Sequence, residues 1–245
     1  MLDASLMFVA AFFAGALNAV AGGGSFLTLP ALVVVGLPAV AANATGTFAL
    51  LPGYLSGALA LRHEIRPMPG LSLRALIGMS LLGGALGAML LLWTSDEVFR
   101  HIVPWLLLVA TLLFALGPKL TRQAGASHAS PMLVLSAIFV VTVYGGYFNG
   151  GLGILLLAAF GLLGQSNLHA ANGLKNLISA LLTAIASLLY IAGGLVYWPQ
   201  ALWMMLAATL GGYVGARLSR HVPVRYLRWG IVAVGMAMSA AFFYA

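Results

Sequence analysis

The sequence predicts an all-α polytopic membrane protein made of two inverted repeats, each a glycine-turn helical hairpin followed by three transmembrane helices. Three observations carry that prediction. The chain of 245 residues is 62% hydrophobic and only 6% charged, with a mean hydropathy of +1.07, too little polar surface for a water-soluble domain of this size. A glycine-marked unit in the first half returns about 128 residues later: Gly22 and Gly23 match Gly150 and Gly151, and Gly36 matches Gly164. Asn43 matches Asn172 after a one-residue slip, Leu82-Gly83-Gly84 with Gly87 and Ala88 matches Leu210-Gly211-Gly212 with Gly215 and Ala216, and Arg100 matches Arg228. Lastly, equivalent loops of the two halves carry opposite charge character, as halves lying upside down to each other would.

The elements follow in order. Residues 4–20 form an apolar run; Ala19-Val20-Ala21 could pass for a signal-peptidase site, but Asp3 and the lack of Lys or Arg before the run argue for a retained membrane segment. Residues 25–36 are too short to cross ~30 Å of hydrocarbon at ~1.5 Å per residue, so they pair with the preceding run as a hairpin or as one broken span. Runs 38–61, 71–93 and 98–117 are long enough to cross. The pattern then repeats, with 131–148 and the short 151–164 as the second pair, and 168–192, 198–217 and 225–244 as three further spans. Helices are the default because an open sheet leaves its edges unsatisfied in lipid, and a barrel would show short alternating strands. This divides the chain into a first repeat (1–118), a cytoplasmic linker (119–130) and a second repeat (131–245).

Charge chooses the hairpin over the broken span. The gap at 62–74 holds Arg62, Arg66 and Arg74 against Glu64, whereas its partner, Ala192 to Pro199, has no formal charge; the gap at 94–97 holds Asp96 and Glu97, whereas its partner holds Arg217, Arg220 and Arg225. A hairpin plus three crossings inverts the second copy and gathers the loops at 62–74, 117–130 and 217–228 in the cytoplasm, with both termini outside. The net charge of +7, from 11 Lys and Arg against 4 acids, orients the protein and attracts anionic lipid. With no basic arm or basic aromatic stripe, it gives no nucleic-acid footprint. Zero cysteines exclude disulfides and Cys-ligated metals. No metal or cofactor is expected, no P-loop is present, and a homo-oligomer is allowed.

Chemistry is expected at the two hairpin turns. The first runs from Asn18 through Gly22, Gly23 and Gly24 to Ser25; the second contains Asn149, Gly150, Gly151 and Gly153. Glycines permit positive φ and close approach, leaving amide N–H groups unpaired at the start of each half-helix. Two such N-termini meeting near the midplane make an anion site from helix dipoles and backbone donors. The alternative is that the glycines only let helices pack, the reading preferred for Gly83, Gly84, Gly87, Gly211, Gly212 and Gly215. Lys175 is the lone formal charge within an apolar stretch of the second half, among Asn172, Asn176 and Ser179 at one-turn intervals; it either binds an anion or snorkels to the headgroups. The matching stretch, Asn43, Thr45 and Thr47, repeats the polarity without the charge.

Asp3, Glu64, Asp96 and Glu97 all map to ends or loops, which argues against a carboxylate relay in the membrane. His169 lies at the mouth of the Lys175 helix, where a satisfied interfacial histidine is the simpler reading. An intramembrane protease using Ser25 would need a general base within reach. No histidine falls in an apolar segment, Ser25 is more simply the N-cap of its half-helix, and the chain is not expected to be an enzyme.

The run Asn18-Ala-Val-Ala-Gly-Gly-Gly-Ser-Phe-Leu-Thr-Leu-Pro30 with Ala42-Asn-Ala-Thr-Gly-Thr-Phe48 resembles the first-half signature of the TauE/SafE sulfite and sulfonate exporter family. Tyr147-Phe-Asn-Gly-Gly-Leu-Gly-Ile154 with Asn172-Gly-Leu-Lys-Asn176 is similar to its second-half signature; Asn149 stands where many relatives carry a small residue. The resemblance covers almost the whole chain. It implies an inner-membrane carrier that moves sulfite, sulfoacetate or related small organosulfur anions, usually outward; with two inverted repeats, rocking of one against the other is expected to give alternating access. An anion channel with the same pore lining is the alternative.

Overall fold

The computed structural model describes residues 2–20, 22–68, 70–123, 130–165, 167–218 and 224–244. Among the described residues there are ten α-helices and no strand. They are α1 (Leu2–Val20), α2 (Ser25–Val34), α3 (Ala39–Ala60), α4 (Leu73–Trp93), α5 (Asp96–Gln123), α6 (Pro131–Tyr147), α7 (Leu152–Leu162), α8 (Leu168–Ala192), α9 (Trp198–Leu218) and α10 (Val224–Tyr244). A 3-10 turn, Arg62–Glu64, follows α3.

The helix starts have local causes. Ser72 accepts the Ala75 N–H at 3.2 Å, Ser130 the Leu133 N–H at 3.3 Å and Asn167 the Ala170 N–H at 3.0 Å, so three helices begin on side-chain caps. Pro131 occupies the first position of α6, where a missing N–H costs nothing. The matched Gly36 and Gly164 have φ of 98° and 96°. They close α2 and α7 in the left-handed conformation, and Leu37 and Gln165 reach back to the carbonyls of Leu32 and Phe160 at 3.0 and 2.9 Å.

The helix boundaries follow the apolar runs except at α5. That helix starts at Asp96 rather than 98 and continues past Gly117 and Pro118 to Gln123, because a helix need not stop where its sequence stops being apolar. Asp96 anchors its start, accepting the Val40 N–H at 2.9 Å and pairing with Arg100 at 2.9 Å. Residues 119–123, read as linker, are therefore helical. Residues 124–129 of that linker, and Arg220 in the loop at 217–228, lie outside the described residues.

Among the described residues three helices are long and apolar enough to cross a membrane: Leu2–Ala19, Leu73–Trp93 and Ala170–Ala192. The last is 56% buried inside the protein, against 28% for the first, which makes α8 the central one. Large apolar side chains such as Leu59, Leu82, Trp93, Val140 and Leu188 face outward, the surface a lipid solvent requires.

The two halves interlock. α1 lies along α9, and α4 along α6, at separations only small residues allow. A Cβ on Gly15 or Gly211 would meet the backbone of Ala208 or Phe12, and one on Gly87 or Gly146 the backbone of Val143 or Gly84. The packing reading thus fits Gly83, Gly84, Gly87, Gly211 and Gly215, whereas Gly212 has its nearest neighbour at 3.6 Å. The other contacts also come in exchanged pairs: α3 with α9 and α8 with α4, α2 with α10 and α7 with α5. The helices that meet their own counterparts run antiparallel. Gly57 of α3 packs on Asn176 early in α8, while Thr45 meets Leu195 just beyond the end of α8. Likewise Thr111 of α5 packs on Gly235 of α10, while Pro104 accepts from Ser239 at 2.8 Å.

Candidate functional site

The first hairpin tip joins α1 to α2. Gly22 holds φ 86°, a value a side chain resists, and its N–H returns to the Leu17 carbonyl at 3.1 Å. Asn18, on the last turn of α1, accepts the Gly24 N–H at 3.4 Å through Oδ1. Phe26 and Leu27 N–H groups reach the carbonyls of Gly23 and Gly24 at 3.2 and 3.0 Å. The N–H groups of Gly23 and Ser25 have no acceptor among the described residues. The N-cap of α2 is Gly24, without a side-chain cap. Ser25, expected to be that cap, is instead the first helical residue, and its hydroxyl donates to the Asn149 carbonyl of the other tip at 3.3 Å.

The second tip solves the same turn with two left-handed residues, Asn149 at φ 57° and Gly151 at φ 69°. Asparagine tolerates this region better than other non-glycine side chains. Tyr144 Oη donates to the Gly150 carbonyl at 2.5 Å, Tyr190 Oη to the Gly146 carbonyl, and Asn43 Nδ2 to the Tyr147 carbonyl at 2.9 Å. These bonds hold the turn's carbonyls away from its centre. The Leu152, Ile154 and Leu155 N–H groups go to Asn149 and Gly151 carbonyls, leaving those of Gly150, Gly151 and Gly153 without an acceptor among the described residues.

The tips touch through bare backbone. A Cβ on Gly22 would lie 2.7 Å from Gly153 Cα, and one on Gly153 would lie 2.9 Å from Gly22 Cα and 3.3 Å from Lys175 Cδ. Lys175 therefore leans its stem on the contact between the two hairpins. Its exposure is 1%, so it is no helix-end lysine reaching the headgroups. Among the described residues the ion pair present is Arg100 with Asp96. All four acids of the chain are exposed or half-buried, so none follows Lys175 inside. A buried ammonium without a carboxylate is costly until something anionic joins it.

Each tip also supplies one side-chain amide. Asn18 Oδ1 is used by Gly24 and Asn149 Oδ1 accepts from Tyr54 Oη at 3.4 Å; among the described residues Asn149 Nδ2 is buried without a partner, and Asn18 Nδ2 is buried without one in hydrogen-bonding geometry, although the Asn18 amide lies close enough to interact with the Tyr54 hydroxyl. Donors, a cation and N–H groups without an acceptor among the described residues suit an anion with several acceptor oxygens.

Not every expected site residue falls here. Asn18, Gly22, Gly23, Gly24, Ser25, Asn149, Gly150, Gly151 and Gly153 form the tips, Lys175 lies against them, and Asn43 is spent on holding the second. Asn176 is half-buried against Gly57 of α3, and Asn172 is half-buried on the second turn of α8. Thr47 is buried with a free hydroxyl. Thr45 points elsewhere: it accepts the Tyr197 N–H at 3.1 Å and donates to Leu195 at 3.4 Å, tying α3 to the turn before α9. Only the backbone of His169 is described. Sequence reasoning missed Tyr54, Tyr144 and Tyr190, because a tyrosine in an apolar run gives no sign of which turn its hydroxyl will reach.

The model of the family described as sulfite exporter TauE/SafE matches residues 7–242. The chain is 31% identical over 241 residues to the "Probable membrane transporter protein YfcA" of Escherichia coli strain K12, covering 98% of this chain and 89% of that one. It is 28% identical to the "Probable membrane transporter protein ORF9" of Sinorhizobium sp (96% and 90% covered) and 28% identical to a "Probable membrane transporter protein" of Haemophilus influenzae (98% and 94% covered). No solved structure matches. The chain belongs to the TauE/SafE family.

Proposed function

We propose that this TauE/SafE membrane protein is a secondary transporter of small oxyanions, with sulfite and short sulfonates as the first substrates to test. The observation that carries the reading is Lys175, buried at the contact of two hairpin tips in a chain with no interior carboxylate to pair it. The anion would sit there, its charge met by the ammonium and its oxygens by Asn18 Nδ2, Asn149 Nδ2 and the tip N–H groups.

The antiparallel pairing of α3 with α8 and of α5 with α10 supports inverted repeats, since a twofold axis lying across the helices reverses every helix it maps onto its counterpart. It also changes the expected motion. Rocking one sequence repeat against the other would pull α1 from α9 and α4 from α6, where glycine backbones are in contact. The units better able to move as bodies are α1, α2, α3 and α9 against α6, α7, α8 and α4, with the tips and Lys175 at their boundary. We place the protein in the inner membrane with both termini outside and the loops at 62–74, 117–130 and 217–228 inside.

The test is exchange of radiolabelled sulfite, sulfate, thiosulfate and small sulfonates in proteoliposomes. Saturable exchange accelerated by unlabelled anion on the opposite side supports a carrier; unsaturable flux without counterflow supports a channel. Flux of none of these anions, from protein shown to be folded, would overturn the reading.

A further inference from the structure

Three of the eleven buried Ser and Thr hydroxyls on the described helices close onto their own backbone, and three more reach a distant carbonyl. Ser80 donates to Leu76 at 2.6 Å, Thr111 to Leu107 at 2.6 Å and Thr142 to Phe139 at 2.9 Å, the ordinary way for Ser and Thr to be satisfied in an apolar helix. α8 carries three of the five buried hydroxyls left over, Thr28 of α2 and Thr47 of α3 being the others. Ser179, Thr183 and Ser187, at most 2% exposed, have no partner for their hydroxyls among the described residues. They stand four, eight and twelve residues after Lys175, one turn apart along a single slowly winding stripe that covers roughly 18 Å at ~1.5 Å per residue. The stripe starts beside the second tip. It ends at Ser187, eleven residues or about three turns beyond Asn176, on the face that meets Gly57 of α3.

α3 supplies an answering group. Thr47, also buried and unpartnered, lies seven residues or about two turns before Tyr54, on the side whose hydroxyl reaches the second tip. Because α3 and α8 run antiparallel, Thr47 lies towards the end of α8 at which Thr45 meets Leu195 and Tyr197. Free hydroxyls from both halves thus continue from Lys175 to one end of the molecule.

We infer that Ser179, Thr183 and Ser187, with Thr47 opposite, form an uncharged path that takes an oxyanion from Lys175 towards the 193–197 turn. A hydroxyl can donate to the anion's oxygens and turn to release them, and it adds no fixed charge to hold the anion in place. This path rests on Lys175 being the counter-charge of the anion.

The experiment compares wild type, Thr183→Val, Thr183→Ser and the triple variant Ser179→Ala/Thr183→Val/Ser187→Ala, using radiolabelled sulfite or, if sulfite is not moved, the oxyanion of the panel exchanged fastest. Val keeps the bulk and removes the hydroxyl; Ser does the reverse. The path predicts exchange at least tenfold slower in the triple variant and severalfold slower in Thr183→Val. Thr183→Ser should stay near wild type, and equilibrium binding of the triple variant should change less than threefold. Wild-type exchange in the triple variant, or equal impairment by Val and Ser, would overturn the path. So would loss of binding in step with exchange, which would put the hydroxyls in the first site, or proton leak altered with anion exchange intact, which would make them a water wire. Failure of the Lys175 reading would show separately, as equal anion binding by wild type and Lys175→Gln.

Discussion

The two hairpin tips are built to one plan and differ where it matters. The first turns on Gly22 at φ 86° and leads through α2 to α3, whose matching stretch of Asn43, Thr45 and Thr47 has no charge. The second turns on Asn149 and Gly151 at φ 57° and 69° and leads through α7 to α8, which carries Lys175. Their backbones meet at Gly22 and Gly153. The two glycine turns thus meet with a single cation beside them, Lys175, contributed by the second half of the chain.

The largest expected effect comes from forcing the tips apart. Gly22→Val and Gly153→Val each place side-chain atoms inside the opposite tip, and Gly22→Val also imposes a left-handed φ on a β-branched residue. Both should abolish anion exchange while protein still reaches the membrane, because α1–α9 and α4–α6 packing is elsewhere. Full activity in either would mean that the tips need not touch. Gly15→Leu, by contrast, attacks the α1–α9 packing and should reduce the yield of folded protein.

A smaller effect separates conformation from recognition in the second tip. Asn149→Ala loses the Nδ2 donor and must hold φ 57°, a cost of roughly 1–2 kcal/mol, whereas Asn149→Gly loses the donor alone. Alanine should therefore lower thermal stability and glycine leave it near wild type, with anion affinity weakened in both. Equal melting temperatures would remove the strain argument.

Smaller still is Tyr54→Phe. It removes the 3.4 Å bond that crosses from α3 to Asn149, worth about 0.5–1.5 kcal/mol, or up to ~10-fold in affinity. No change in affinity would show that Asn149 holds its orientation without help from the first repeat. The orientation of the repeats is tested independently by labelling with a membrane-impermeant thiol reagent. Ala192→Cys should react from outside the cell and Arg66→Cys only after the membrane is opened; the reverse pattern would turn the molecule over.

Much of this comparison was legible in the sequence, for physical reasons. Gly36 and Gly164 both adopt positive φ at the repeat spacing, whereas in the tips positive φ falls on Gly22 and on Gly151 rather than on the matched Gly150; hydrophobic length located the helices. Groups whose role depends on a distant partner were not legible. Ser25 reads as a cap from its neighbours, yet its hydroxyl finds a carbonyl 124 residues away; Thr45 looks like part of the polar stripe, yet faces the 195–197 turn. The hydroxyls of Thr183 and Ser187 had a signal, the four-residue interval from Lys175, that reading one turn at a time stopped short of. The end of α5 was misplaced because hydropathy reports where lipid ends, whereas the helix runs on.

The central claim is that Lys175 supplies the charge between otherwise similar tips, and anion affinity of purified Lys175→Gln protein tests it most directly. A charge-assisted hydrogen bond in a protected site is worth roughly 1.5–3 kcal/mol, so sulfite binding should weaken ~10- to 150-fold. Lys175→Arg should stay impaired, because a planar, forked guanidinium does not replace a compact ammonium. Affinity within twofold of wild type in the Gln variant would contradict the claim and leave the helix N-termini and the Asn18 and Asn149 amides as the whole of the anion recognition.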